Sequence, residues 1–508
     1  MKKAVIFLML LTLTSKLLGF LRDITLSYFF GASNVSDAYL IALTIPDSIF
    51  SFIITGIATG FIPLYSRINK EGNDQVANKF VSNLIGFILL LCTFIAFISL
   101  MFTEPIVKLF ASGFDRESMD LAVFFMRISI FGIYFTGLIT IFNGYLQVNN
   151  SFIISALSGI PLNLIIIFSI ALSANNNVTI LAIGSVIAVF IQLIFLLPSV
   201  FKKGFKYHFI LDRHDEDLKQ MLFLSLPIII GVSVNQINVL IDKTIASHVA
   251  LGGISALTYA ERLNLFIQGS FVMSIITVMY PSISKLAAQN DLERLKKTVS
   301  NVISSINILV IPITIGTLAL SKPIVLFLFG RGAFDAAAVS MTSDALFFYS
   351  IGMLGFGLRE VLSRVFYAFQ DTRIPMNNAI FATVINILLS VLLSKYLGIG
   401  GLALATSIAG ILSSILLFIK LKSRIGSFGI KNIFITFLKI SLSSIFMGIV
   451  VKTTYEILID QFNSTLTLLL CIMLGIFVYL FIIIFTKVEE VDIIIIELKK
   501  RWKGFFQR

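Results

Sequence analysis

Apolar runs of about twenty residues recur along the whole chain, each closed by a short polar segment. A helix of that length rises about 30 Å, the thickness of a bilayer's hydrocarbon core. The pattern predicts fourteen spans, at about 4–29, 37–65, 80–102, 119–145, 152–173, 180–200, 221–248, 254–284, 299–320, 340–369, 376–394, 400–421, 433–451 and 463–486. The fold class it implies is an all-α polytopic membrane protein.

The polar positions inside these runs carry the information about chemistry. Span 1 holds Lys16, Arg22 and Asp23. An ionisable group at membrane depth costs on the order of 2.5–3.5 kcal/mol even on the lenient insertion scale, so it implies a polar cavity, a partner or a ligand. At 100° per residue, Thr12, Ser15, Lys16, Gly19, Arg22 and Asp23 fall on one stripe of the helix. Two readings stand. The stripe is a cationic site for an anionic substrate, with Asp23 holding the cations, or it is a structural cluster that locks helix packing or snorkels to the interface.

Three further spans carry in-membrane charge. On span 7, Gly231, Asn235, Asn238 and Asp242 share a face. A carboxylate with nearby amides suits Na⁺ or a proton, whereas the same groups, with Lys243 beside them, also suit interhelical hydrogen bonding. Span 8 holds Glu261 and Arg262 in mid-segment. An arginine there binds phosphate through its fork, or forms an intramembrane ion pair with Glu261. Span 10 holds Arg359, Glu360 and Arg364, of which Glu360 and Arg364 are i,i+4 neighbours and read as a stabilising helix pair. Arg127 and Lys439 suggest no role.

Composition sharpens the class. The 508 residues are 57% hydrophobic and 13% charged, with mean hydropathy +0.98 and net charge +12. With the N-terminus inside, cytoplasmic loops and tails hold 25 of the 39 Lys and Arg, outer loops hold 6, and the spans hold the remaining 8. That asymmetry is the positive-inside bias, so the basic excess needs no nucleic-acid partner and both termini are expected in the cytoplasm. Lys2 and Lys3 before an apolar run mimic a signal peptide, but Lys16, Arg22 and Asp23 interrupt the run, which reads as a retained first helix. Cys92 and Cys471 both fall in spans, which argues against a disulfide framework or a thiol metal site.

The chain also repeats itself. Pro63 and Pro281, Val81-Ser82-Asn83 and Val299-Ser300-Asn301, and Pro105-Ile106-Val107 and Pro323-Ile324-Val325 are all 218 positions apart. Six spans per unit is an even number, so the copies enter the membrane from the same side as parallel repeats. The expected organisation is an N-lobe over 1–201, a cytoplasmic connector over 202–220, a C-lobe over 221–421, and two further helices with a tail over 422–508. Two six-helix lobes related by a pseudo-two-fold axis are a transporter architecture, with substrate bound between lobes near the midplane. No Walker A loop and no HExxH spacing of His208, His214 or His248 occurs, so neither ATP nor zinc hydrolysis is indicated. The tail from Val491 to Arg508, with Trp502 among basic residues, reads as a juxtamembrane segment drawn to anionic lipid or as a solvated end.

Three segments resemble the MurJ (MviN) lipid II flippases of the multidrug/oligosaccharidyl-lipid/polysaccharide exporter superfamily. The first is Ser15-Lys16-Leu17-Leu18-Gly19-Phe20-Leu21-Arg22-Asp23, with Phe30-Gly31-Ala32-Ser33 and Asp37-Ala38-Tyr39 after it. The second is Tyr259-Ala260-Glu261-Arg262-Leu263, and the third runs from Arg364 through Asp371-Thr372 to Pro375. The resemblance implies a V-shaped flippase that moves undecaprenyl-pyrophosphate-linked peptidoglycan precursor (lipid II) from the inner to the outer leaflet of the bacterial cytoplasmic membrane. It implies substrate-binding roles for Lys16, Arg22, Asp23 and Arg262, and gating or structural roles for Asp37, Glu261, Arg364 and Asp371. It implies no cofactor, with Na⁺ as a coupling ion at Asp242, Asn386 and Thr406. Lys16 stands where members often carry Arg, Phe50 and Ser51 stand where many carry an Arg after the proline, and Ser390 stands where a carboxylate is expected. Spans 13 and 14 are implied to shape a groove for the lipid tail, and the implied partners are lipid II, membrane lipids and proteins of cell-wall synthesis.

The competing readings are a flippase for another undecaprenyl-linked glycan, a drug/cation antiporter of the same superfamily, a membrane-embedded enzyme acting on the same lipid, and a non-transporting scaffold. An antiporter cavity should be net negative, whereas span 1 sets Lys16 and Arg22 against Asp23 alone. An enzyme should carry chemistry in an outer loop, where only Glu104, Asp115, Glu117 and Asp335 occur in the two longest.

Overall fold

The structure is a computed structural model that describes residues 2–70, 74–175 and 177–486. The sequence's apolar runs become helices throughout, with no strand among the described residues. In chain order these are α1 (Lys2–Phe30), α2 (Asn34–Lys70), α3 (Asp74–Met101), α4 (Thr103–Phe110), α5 (Arg116–Ser129), α6 (Gly132–Val148), α7 (Phe152–Leu157), α8 (Gly159–Ser173), α9 (Thr179–Lys202), α10 (Glu216–Val249), α11 (Gly253–Ile267), α12 (Met273–Ala288), α13 (Leu292–Leu328), α14 (Ala336–Ala368), α15 (Arg373–Ile425), α16 (Ile430–Leu458) and α17 (Ser464–Phe485). A π-helical turn, Gln268–Val272, joins α11 to α12. The basic tail from Val491 to Arg508 lies outside the described residues.

Among the described residues ten helical stretches, counting α7 with α8 and α11 with α12 as one each, are long and apolar enough to cross a membrane, or eleven when α5 and α6, bent by 44° at a short break, count as one span. Length and composition therefore do not by themselves reach the expected fourteen. Helix α15 shows how the counts diverge. Its 53 residues would extend about 80 Å if straight, far more than a bilayer. Instead Gly398 takes φ 55°, ψ −135° in its middle, a conformation that favours glycine. The two arms fold back antiparallel. Asn378 Nδ2 donates to Ser413 Oγ at 2.6 Å, Asn386 Nδ2 to Thr406 Oγ1 at 2.9 Å, and Arg424 near the far end reaches Asp371 just before the start. The arms coincide with the predicted spans 376–394 and 400–421.

Packing divides the chain into two compact units, Met1–Ser255 with Arg331–Ala338, and Ala256–Gly330 with Val339–Arg508. In the first unit α2 packs against α3, α5, α6 and α10. Its core holds Phe50, Phe61, Tyr65, Phe80 and Tyr145, all buried. Phe61 stacks on Tyr65 at 5.3 Å and on Phe80 at 6.1 Å.

Helix α10 lies antiparallel along α2. At one end Arg67 Nη2 reaches Asp217 Oδ1 at 2.5 Å. Ser225 Oγ donates to the Gly56 carbonyl at 2.6 Å, and Lys243 Nζ donates to Thr44 Oγ1 at 2.7 Å. At the other end Asp37 meets Ser255. A repeat boundary at 201–221 separates these helices by sequence, while packing keeps α10 with α2.

The second unit has two cores. One gathers Val272, Leu295, Val302, Met353, Phe366 and Leu417. The Gln268 side chain in the π turn donates to the Met353 carbonyl at 2.8 Å, tying that turn to α14. The other core holds Ile311, Met447, Leu468, Cys471 and Tyr479, from α13, α16 and α17. Tyr479 donates its hydroxyl to the Ile308 carbonyl at 2.8 Å. The two helices with no counterpart in the repeat are thus packed on α13.

Candidate functional site

The polar stripe of α1 divides between two environments. Ser15 and Gly19 face protein: a Cβ on Gly159 would lie 2.2 Å from Ser15 Oγ, and one on Gly19 would lie 3.6 Å from Asn163 Oδ1. Lys16 is exposed, as are Leu13, Leu17 and Leu21 on the neighbouring face. One turn further on, Arg22 donates from Nε at 3.1 Å and from Nη2 at 2.9 Å to Oδ1 of Asp23. Asp23 is buried and Arg22 half-buried. The carboxylate thus fixes one edge of the guanidinium. Its Nη1 edge makes no hydrogen bond among the described residues, the arrangement needed to receive an anion in a fork. Tyr39 and Asp47 lie close enough to act on the Arg22 charge. Asp47 is a residue that sequence reasoning passed over, although a carboxylate beside Pro46 in an apolar run was a signal for it.

Asp37 does different work. It sits in the first turn of α2, 2% exposed. Its Oδ1 accepts from the Ser255 backbone N–H at 2.7 Å and from the Ser255 hydroxyl, and the N–H groups of Gly252 and Ile254 also point at it. It therefore caps α11 from another helix, supplying negative charge where a helix N-terminus presents unpaired donors. Ser36 Oγ joins the cluster, 2.8 Å from Ser255 Oγ. Asp37 and Ser255 are 218 positions apart, the repeat offset, so equivalent positions of the two repeats meet here. Gly252 takes φ +74°, and a Cβ there would lie 2.2 Å from the Ala32 carbonyl oxygen.

On α11, Glu261 is half-buried and Arg262 exposed. On α14, Arg364 donates to Glu360 Oε1 from Nε at 3.2 Å and from Nη2 at 3.0 Å, the i,i+4 pair expected from spacing. Asp371 follows in the connection to α15. It accepts from the Ile374 N–H at 3.3 Å and from Arg424, whose guanidinium also lies over the Phe369 ring at 4.7 Å. Partial burial acts to raise the Asp371 carboxyl, but the Ile374 N–H and the Arg424 charge outweigh it and hold it below its ordinary range. Asp371 is a structural tie between the ends of the α15 hairpin.

Of the three oxygen donors proposed for a cation, Asp242 belongs to the first unit and Asn386 and Thr406 to the second. Asp242, buried on α10, accepts weakly from Asn238 Nδ2 at 3.4 Å. Gly231 of the same stripe falls outside the residues whose surroundings are described. Asn386 and Thr406 meet across the α15 hairpin, and Ser390 Oγ donates to Asn386 Oδ1 at 3.4 Å. Asn386, Thr406 and Ser390 themselves carry neutral oxygens. No cluster of three or more His, Cys, Asp or Glu able to hold a metal occurs among the described residues.

Against known proteins, residues 26–484 match the family described as lipid II flippase MurJ. The lipid II flippase MurJ of Thermosipho africanus (strain TCF52B) is 32% identical over 484 residues, which is 95% of this chain and 95% of that one. A solved structure of lipid II flippase MurJ in an inward closed conformation superposes with a TM-score of 0.83 at 30% identity, covering 96% of this chain and 100% of that chain. An inward-facing multidrug resistance MATE family transporter of the MOP superfamily gives a TM-score of 0.69 at 16% identity, covering 83% of this chain and 98% of that chain, a likeness of fold alone.

Proposed function

Since this chain belongs to the lipid II flippase MurJ family, we propose that it carries lipid II from the inner to the outer leaflet by alternating access. The observation that carries the reading is the Arg22–Asp23 pair of α1, a guanidinium oriented on one edge by a buried carboxylate and open on the other. A pyrophosphate is the anion such a fork fits. Lys16 on α1 and Arg262 on α11 add charge on helices of the two repeats. The prenyl tail stays in lipid while the head group crosses, and no covalent step is required.

In this reading the lobes 1–201 and 221–421 rock against each other, both termini lie in the cytoplasm, and proteins of cell-wall synthesis receive the product side. Membrane potential or a cation gradient gives direction. Na⁺ coupling would use Asp242 with Asn386 and Thr406. Because Ser390 supplies a hydroxyl rather than a second carboxylate, Asp242 is the sole charge in that donor set.

The test is complementation of a bacterium depleted of its resident lipid II flippase, with membrane levels matched. Wild type should restore growth, and Arg22→Ala and Arg262→Ala should not. A well-inserted wild type that fails to rescue would overturn lipid II as substrate and favour another undecaprenyl-linked glycan. Rescue by both variants would remove the proposed anion site.

A further inference from the structure

Helix α9 ends at Lys202, and the chain then turns back on itself. Gly204 makes the reversal with φ +89°, a left-handed value that favours glycine. Residues 205–212 form no helix or strand and run along α3. Their contacts give the direction. The Gly204 carbonyl accepts from Asn78 Nδ2 at 3.2 Å, and the His208 N–H donates to Ser82 Oγ at 3.0 Å. The Ile210 carbonyl oxygen lies 3.2 Å from where a Cβ on Gly86 would stand. The Asp212 N–H then donates to Asn83 Oδ1 at 2.8 Å, and Asp215, the cap of α10, accepts from Asn83 Nδ2 at 2.8 Å. The segment therefore climbs α3 from Asn78 to Gly86 and comes down again. Helix α3 is long and apolar enough to cross a membrane, and its predicted span starts near residue 80. The tip at Gly86 is level with a point about 9 Å inside that span. Irregular backbone at such depth needs protein partners for its polar groups. Asn78, Ser82 and Asn83, all buried, supply them. The repeated Val-Ser-Asn motif thereby gains a reason: in the second repeat Ser300 Oγ lies 3.4 Å from where a Cβ on Gly429 would stand, in the segment that follows α15.

Along the segment the side chains alternate as they do in a strand. Phe205 is buried against Phe142 and Tyr145, with its ring centroid 5.7 Å from each. His208 and Ile210 are half-buried. Tyr207, Phe209 and Leu211 are exposed, Phe209 by 94%. Exposed cations flank this apolar row: Lys202, Lys203 and Lys206 before it and Arg213 after it. We propose that residues 205–211 are a re-entrant strap inserted into the leaflet, with an anionic lipid surface as its partner. Tyr207, Phe209 and Leu211 enter the boundary between head groups and acyl chains, and the flanking cations meet lipid phosphates. Depth argues for lipid over water, since the row stands level with the start of a span, where amphipathic segments and aromatic rings settle. Charge argues for anionic lipid, since basic residues just beyond a span are drawn to it. With the orientation proposed above the leaflet is the cytoplasmic one, and the strap does not depend on what the protein transports. Because it starts at the end of α9 and finishes in the cap of α10, it moors the connection between the two repeats to the membrane.

The chain has one tryptophan, Trp502, so Trp502→Phe combined with Phe209→Trp leaves a single indole, at the tip of the strap. Both positions of change are mild: Phe209 is exposed, and the substitution keeps an aromatic ring. The full-length protein is placed in nanodiscs of phosphatidylcholine and phosphatidylglycerol. Its fluorescence is quenched either by lipid brominated near the head-group end of its acyl chains or by acrylamide in the water. Trp502→Phe with His214→Trp, at an exposed position past the strap, is the aqueous control. The tip indole should lose about half its emission to brominated lipid and little to acrylamide, and the control should do the reverse. Brominated phosphatidylglycerol should quench the tip about two-fold more than brominated phosphatidylcholine at equal mole fraction. Adding Lys202→Gln, Lys203→Gln and Lys206→Gln together should abolish that difference. Quenching of the tip by acrylamide alone would put the strap in water, and quenching by neither agent would put it under another part of the protein; each overturns the insertion. Equal quenching by the two lipids, unchanged by the lysine substitutions, would overturn the anionic partner.

Discussion

Two loops of the first unit perform the same task with different chemistry. The loop at 111–115, between α4 and α5, sets Gly113 against the end of α10. The loop at 331–335, before α14, sets Gly332 against the end of α1. Each thus comes from one repeat and closes on a helix of the other. At Gly113 the joint is made by side chains. Ser247 Oγ accepts from the Gly113 N–H at 3.1 Å, Thr244 donates to the Phe110 carbonyl at 3.0 Å, and Ser112 Oγ lies 2.8 Å from His248 Nε2. At Gly332 the joint is backbone. The Ala333 N–H donates to the Tyr28 carbonyl at 2.8 Å, and Gly332 takes φ +64° to bring it there. A side-chain joint spreads its energy over several replaceable groups. A backbone joint concentrates it in the glycines that permit the approach, here Gly332 and also Gly31, which takes φ +62° and whose Cβ would lie 2.4 Å from the Ala333 carbonyl oxygen.

Gly332→Ala should therefore be the most damaging change. Its Cβ would lie 2.2 Å from the Tyr28 carbonyl oxygen, in a left-handed conformation that alanine adopts at a cost. We expect a loss of about 3 kcal/mol, read as a lowered midpoint of thermal unfolding in detergent. Gly113→Ala should come second, at about 2 kcal/mol: its Cβ would meet the Ser247 backbone at 2.4 Å, but its φ is not left-handed. A Gly113→Ala protein less stable than Gly332→Ala would reverse the contrast between the joints.

How much of this was legible in the sequence depends on the scale of the question. The helices and the α15 hairpin followed from apolar run length. The Glu360–Arg364 pair followed from i,i+4 spacing. What Arg22, Ser15 and Gly19 face did not follow, because a helical wheel reports which residues share a face and not what that face meets. Ser15 and Gly19 lie against α8, at Gly159 and Asn163, although the wheel groups them with Lys16. The Asp37 cap of α11 was hidden for a related reason: its donors are mainly backbone N–H groups, which carry no residue signature. The two joints were legible in principle, since Leu109-Phe110-Ala111-Ser112-Gly113-Phe114-Asp115 and Leu328-Phe329-Gly330-Arg331-Gly332-Ala333-Phe334-Asp335 share a pattern with one insertion. Asp115 and Asp335 even perform the same cap, accepting from Ser118 and Ala338 at 3.0 and 2.7 Å.

Within the side-chain joint, Ser247→Ala should cost about 1 kcal/mol, because it strips the partner from the Gly113 N–H where Ser247 itself is buried. The same measurement on the double variant with Thr244→Val would show whether the two hydroxyls act independently. A double loss equal to the sum says that they do, and a smaller one says that the joint opens as a unit, because the first substitution has already released what the second would break.

Ser112→Ala should have the smallest effect. Ser112 and His248 are both exposed, so water replaces whichever of the two donates once the hydroxyl is gone. The expected change is within about 0.5 kcal/mol of wild type. That small value matters for the comparison, because Ser112 adjoins Gly113 as Arg331 adjoins Gly332, and distance from the glycine is therefore not what separates mild changes from severe ones. If Ser112→Ala lowered the unfolding midpoint as far as Gly113→Ala, the exposed hydrogen bond would be essential to the joint, and glycine's closeness to backbone would not be what holds these loops in place.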